Sequence, residues 1–127
     1  MKIRRGEIYM TYLEKTCGSV QYGERPVLII QNNKGNKYSP TTIVAPITSR
    51  LGKSPLPTHV DIISSELPKK SIILLEQITT ISAEKLGKRI CKLSKRQMSK
   101  INLGIDISCG TVKKCHNRSI QNSGIKR

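Results

Sequence analysis

Between a polar loop and a pair of amides, the run Pro26-Val27-Leu28-Ile29-Ile30-Gln31 is apolar at every interior position. It has too few residues for a helix of that hydrophobicity, so it reads as a buried strand. Other short, β-branched runs accompany it. Glu7–Leu13 alternates with a period near two and predicts a first strand. Thr41–Thr48 predicts a third, with Pro46 marking a bulge or an edge near its end. Thr58–Ile62, Ser71–Leu75, Gln77–Ile81 and Ile90–Leu93 are the remaining strand candidates. Turn signals separate them, densest over Asn33–Pro40, and Ser49–Pro57 has the Gly, Pro and Lys content of a mobile surface loop. Ser82–Gly87 predicts an N-capped single turn of helix ending on glycine. Ser94 predicts the cap of a helix over Lys95 to about Ser108, with Met98, Ile101, Leu103, Ile105 and Ile107 as buried positions.

Short strands with turns between them and one closing helix give the fold class: mainly β with a C-terminal helix, a small and highly curved β-barrel. At 127 residues the chain is one domain with a modest core. The four Tyr are its only aromatics, so that core is built from Ile, Leu and Val. The same shortage argues against a groove for proline-rich peptides and against a stacking platform for single strands. Nothing approaches the roughly 18 consecutive apolar residues of a membrane span, and no apolar signal core follows the basic start Met1–Glu7. A cytoplasmic protein with no membrane contact is expected. Residues 1–109 form the expected folded unit. Residues 110–127 are a polar, basic tail expected to be poorly ordered unless it meets a partner.

A formal net charge of +15 attracts a polyanion: nucleic acid, an anionic membrane surface or an acidic protein. The charge is uneven, since no acidic residue lies between Lys85 and Ile105 and none follows Asp106. Cys17, Cys91, Cys109 and Cys115 match no zinc-ribbon spacing. Cys109, Cys115 and His116 make at most a partial metal site, and free thiols are the simpler reading.

Two residues stand out for chemistry. Arg25 sits where the Gly18–Gly23 loop enters the buried strand, next to a proline that biases it toward extended backbone. Its planar fork suits a phosphate, and a solvated hairpin arginine is the bland alternative. Thr48 ends a strand, where a hydroxyl is a ligand for an oxygen or simply a good β-former. His59 tempts as a base, but it lies mid-strand between Thr58 and Val60, which favours a hydrogen-bonded or surface histidine. Gln77 follows an apolar run, where its amide can read a base edge or pair with Glu76 as a satisfied polar group.

The order Gly18-Ser19-x-Gln21-x-Gly23-x-Arg25-Pro26-Val27-Leu28-x-Ile30-Gln31-Asn32 resembles the signature of the MazF/PemK toxins. The likeness continues through Gly35-Asn36, Ser39-Pro40-Thr41, Ile43-Val44-Ala45, Ile47-Thr48, Leu56-Pro57-Thr58-His59-Val60 and Leu74-Leu75-Glu76-Gln77-Ile78, spanning roughly Arg4 to Ser108. It implies a homodimeric, SH3-like barrel that cuts single-stranded RNA at short sequences with no metal or other cofactor. It also implies a cognate acidic antitoxin that blocks the RNA groove, with operator DNA bound only by the toxin–antitoxin complex. Arg25 and Thr48 carry over as catalytic, and Ser19, Gln21, Asn32, Ser49 and Gln77 as lining or bordering the RNA groove. Val20 departs from the glutamate the family often has there, so the chain does without that carboxylate or uses Glu24. A silent nucleic-acid binder and a gyrase-targeting protein on the same barrel are the alternatives.

Overall fold

The computed structural model describes residues 2–49, 56–67 and 70–112. The predicted tail from residue 113 onward, Cys115 and His116 with it, and residues 50–55 of the predicted loop lie outside the described residues. Strands β1 (Glu7–Leu13), β2 (Gly23–Ile29), β3 (Thr41–Thr48), β4 (His59–Ile62), β5 (Ser71–Leu74), β6 (Thr79–Ser82) and β7 (Arg89–Lys92) pair antiparallel throughout. Helices α1 (Asn33–Tyr38) and α2 (Lys95–Cys109) complete the chain. The strand order is β4-β5-β3-β2-β1-β7, with β6 paired to β3 off that path. The sheet is roughly barrel-like but not closed, with β4 and β7 as its free ends.

β3 is the strand that changes neighbours. β6 pairs its first half, Thr41 to Val44, and β5 pairs Ile47 and Thr48. Pro46 falls between the two partners. It is fully buried inside the sheet rather than at an edge, at the point where an absent N–H is tolerated because the partner is changing.

Alternation along β1 to β3 explains the unbroken apolar run of β2. Ile8, Leu28, Ala45 and Ile47 face one core, which α2 covers with Ile101. Tyr9, Val27, Ile29 and Val44 face a second core closed by Ile3, Leu13 and Leu86. Both faces of β2 are therefore covered over Val27–Ile29, and no polar position is left there for a period-two pattern.

α2 begins as predicted. Ser94 accepts from the Gln97 backbone, and the Gln97 side chain accepts from the Ser94 N–H in return, a capping box. It ends on Gly110 at φ +72°, a left-handed conformation that favours glycine. Its buried positions are Ile101 and Gly104, whereas Leu103 is 52 % exposed, against expectation. Gly104 holds the inward position without a side chain, because a Cβ there would strike Leu75 Cδ1.

Three local expectations give way to other structure. Asn33–Tyr38 is a short helix rather than a turn, capped by Asn32 Oδ1 accepting from the Gly35 N–H at 2.7 Å. Leu75–Gln77 is a 3-10 turn, so β6 starts at Thr79 instead of Gln77. Ala83–Lys85 is also 3-10, and the Ser82 side chain does not cap it; the Ala83 N–H bonds the Pro40 carbonyl at 2.9 Å. No helix among the described residues is long and apolar enough to cross a membrane.

Candidate functional site

The loop into β2 is bracketed by Gly18 at φ +53° and Gly23 at φ +88°, with open space around both missing Cβ atoms. These glycines are needed for backbone shape rather than for room. Between them the chain turns polar and exposed, then enters β2 with Arg25 half-buried.

Register decides what Arg25 meets. β2 and β3 pair Val27 with Pro46, Leu28 with Ala45 and Ile29 with Val44. The ladder ends at Val27–Pro46, two places short of Arg25 and Thr48. The guanidinium spans the remaining gap to β3: its Nη1 donates to the Ile47 carbonyl at 3.4 Å and its Nε to the Tyr22 carbonyl at 2.9 Å. One bond ties it to β3 beside Thr48, the other to its own loop. Thr48 is only 8 % exposed, at the wall of a cleft.

That cleft has a volume of about 790 Å³. Ser19, Gln21, Arg25, Thr48 and Ser49 all line it, together with Val20 and Tyr22 of the loop. Gln77 is not in its lining, but it accepts from the Gln21 N–H at 2.9 Å and donates to the Ser19 carbonyl at 3.3 Å, so it holds the lining from behind. Asn32 is not brought to the cleft, because its side-chain oxygen is committed to the start of α1. The cleft thus brings together an arginine fork, a threonine hydroxyl and a loop of mixed polar and apolar residues, and a guanidinium of this kind suits an anion.

Two carboxylates border it among the described residues, Glu24 and Glu66. Glu66 accepts from the Ser64 hydroxyl at 2.6 Å, and that bond above all holds its carboxyl below the ordinary range. It is therefore an acceptor at neutral pH. His59 stands elsewhere, its Nε2 3.0 Å from Glu76 Oε2 and its Nδ1 accepting from the Leu56 N–H at 3.3 Å. One nitrogen serves the chain entering β4 and the other the 3-10 turn at Glu76. Burial alone would raise the Glu76 carboxyl, but bonds from Thr58 and His59 outweigh it and the net direction is down. Among the described residues no group of three or more His, Cys, Asp or Glu side chains could hold a metal ion.

Residues 4–109 match the family described as the PemK-like, MazF-like toxins of type II toxin–antitoxin systems. The chain belongs to that family. Among similar sequences, the endoribonuclease MazF of Staphylococcus saprophyticus is 51 % identical over 110 residues, covering 85 % of this chain and 92 % of its own. The endoribonuclease MazF of Staphylococcus epidermidis is 46 % identical over 119 residues, covering 92 % and 99 %. Among solved structures, a mycobacterial endoribonuclease in complex with its cognate antitoxin has a TM-score of 0.72 at 23 % identity, covering 88 % of this chain and 99 % of that one. MazF of Deinococcus radiodurans has a TM-score of 0.74 at 14 % identity, covering 87 % and 98 %. At such identities the structures speak for the fold, while the sequence relatives and the profile speak for the family.

In this MazF-like chain the signature loop supplies only part of the cleft. Met10, Glu66, Leu67, Ser71 and Ile90 line it as well, from β1, β5, β7 and the β4–β5 connection. No local pattern marked them. Only the pairing of Thr48 with Ile72 and of Met10 with Pro26 carries their neighbourhood to the site.

Proposed function

We propose that the chain is the toxin of a type II pair and cleaves single-stranded RNA at short sequences in the Arg25–Thr48 cleft, without a metal. The observation that carries this reading is the cross-strand approach of Arg25 to the Ile47–Thr48 peptide. The nucleophile is the RNA's own 2′-hydroxyl. Its oxygen forms a bond to the adjacent phosphorus as the bond to the 5′-oxygen breaks; the 2′-hydroxyl gives its proton to water and the 5′-oxygen takes one from water, leaving a 2′,3′-cyclic phosphate and a 5′-hydroxyl. The protein must align these atoms and offset charge on the phosphoryl oxygens.

Arg25 takes the charge. A guanidinium is a donor-only cation, so it stabilises charge and does not serve as a base. Thr48 holds the 2′-hydroxyl or a non-bridging oxygen. Ser19, Gln21 and Ser49 contact the neighbouring nucleotides; Asn32, whose side-chain oxygen caps α1, does not line the cleft. Net charge of +15 draws RNA to the surface and likewise suits an acidic antitoxin competing for the same cleft. A cytoplasmic homodimer, meeting operator DNA only with its antitoxin, completes the reading.

The test is cleavage of one long RNA in EDTA, with both new ends mapped. Discrete fragments bearing 5′-hydroxyl and cyclic phosphate ends are expected. Arg25→Ala and Thr48→Ala should each slow cleavage by about 10²–10³, the usual cost of a preorganised donor. Parental rates in either variant, or activity lost to EDTA, overturns the proposal.

A further inference from the structure

The 3-10 turn Leu75–Gln77 is held from three directions. Leu75 is wholly buried, its N–H donates to the Thr58 carbonyl at 3.0 Å, and the bare Gly104 gives its side chain a seat. Glu76 Oε1 accepts from the Thr58 hydroxyl at 2.8 Å, and Oε2 lies 3.0 Å from His59 Nε2. A short turn so tied to β4 and α2 is a rigid post.

The cleft loop is the opposite case. Its residues are mostly exposed. Within itself it has the Val20 N–H on the Cys17 carbonyl at 3.2 Å and the Lys15 ammonium 5.3 Å from the Tyr22 ring centre. Contacts of this exposed kind stabilise weakly. Gln77 reaches from the post into this loop and engages residues two apart, taking the Gln21 N–H and giving to the Ser19 carbonyl. One residue past Gln21, the Tyr22 carbonyl holds Arg25 Nε.

We propose that Gln77 is a positioning residue: it lends the rigidity of the post to the Ser19–Tyr22 loop and, through the Tyr22 carbonyl, aims the Arg25 guanidinium. The part concerning cleavage rests on the nuclease reading above. A side-chain amide spent on backbone groups at both ends orders the loop for every RNA alike. A base-reading amide would instead discriminate at one nucleotide.

The chain has no Trp, so Val20→Trp places a single indole between the two residues that Gln77 holds. Time-resolved fluorescence anisotropy without RNA then reads loop order directly, on the nanosecond scale. Adding Gln77→Ala should increase the amplitude of fast indole motion at least twofold, about the order lost when a rigid segment becomes flexible. Gln77→Glu keeps an acceptor for the Gln21 N–H and should restore most of that order. In the background without the indole, Gln77→Ala should slow cleavage by up to about 10²-fold, with the cleaved sequence unchanged.

Unchanged indole motion in Gln77→Ala refutes the clamp. A relaxed preference at one nucleotide, with the rate elsewhere intact, refutes it in favour of base reading. A freed indole with parental cleavage refutes the link to Arg25. Failure of the parental chain to cut any RNA, while the indole is held by Gln77 and freed without it, supports the clamp and sinks the nuclease reading instead.

Discussion

Replacing Gly104 by alanine sets helix propensity against packing at a single atom. Within a helix, alanine is favoured over glycine by about 1 kcal/mol. The new Cβ would overlap Leu75 Cδ1, with Val60 Cγ2 at 3.5 Å and Leu75 Cγ at 3.7 Å. Leu75 is 0 % exposed, so it cannot swing out to water. It must leave its rotamer, at about 0.5–1.5 kcal/mol, or push its neighbours, at about 1–3 kcal/mol for an overpacked core. The first roughly offsets the propensity gain and the second exceeds it, so the net loss is up to about 2 kcal/mol. For a chain of this length that is a fall in Tm of up to roughly 8 °C. The assay is thermal unfolding by circular dichroism at one fixed protein concentration, with Leu103→Ala as the control. Leu103 is 52 % exposed one residue away, so truncating it should move Tm little. In a Leu75→Ala background the struck atom is gone, and Gly104→Ala should turn neutral or stabilising. A higher Tm for Gly104→Ala alone would show that Leu75 yields freely and that the post argued above is soft.

Arg25→Lys keeps the charge but loses the fork that spans Tyr22 and Ile47, so cleavage should fall about 10²-fold or more while salt-dependent RNA binding weakens far less. A rate within tenfold of the parental one would reduce Arg25 to a point charge. Glu7, 7 % exposed, accepts from the Arg4 N–H, the Tyr9 hydroxyl and Arg89 Nε at 2.8, 3.1 and 3.0 Å. Burial pushes its carboxyl up, the three bonds outweigh that, and the net pKa is lowered. A lowered native pKa gives stability that is complete above the unfolded value, about 4.3, and fades as pH falls through the native one. Glu7→Gln should therefore lose about 1–3 kcal/mol at pH 7 by urea unfolding and show a shallower decline from pH 5 to 3. An unaltered acid slope would remove Glu7 from that account.

What the sequence disclosed and what it concealed divide along the range of the forces involved. Val27 to Ile30 read as a buried strand because every position on it is local evidence of burial. Ser94 reads as the start of a helix because a cap acts within its first turn. α1 escaped because its driving contacts are amides, Asn32 to Gly35 and Gln31 to Asn36, in a hexapeptide with no apolar stripe. The same amide character placed Asn32 among the RNA contacts in the sequence reading, whereas its bond to Gly35 keeps it at a helix start. The pattern predicts Leu103 inward and says nothing of Gly104, since a pattern of apolar side chains has no symbol for a position whose use is to lack one. The cleft follows the same rule. Arg25 and Thr48 each sit in a recognisable run, so their residue types could be singled out. That both line one cleft depends on a β2–β3 register that pairs Val27, Leu28 and Ile29 with Pro46, Ala45 and Val44, a long-range choice made by two cores at once. Gln77 shows the consequence most sharply. From the sequence its amide can read a base or pair with Glu76, and the backbone partners it has lie 56 and 58 residues earlier in the chain.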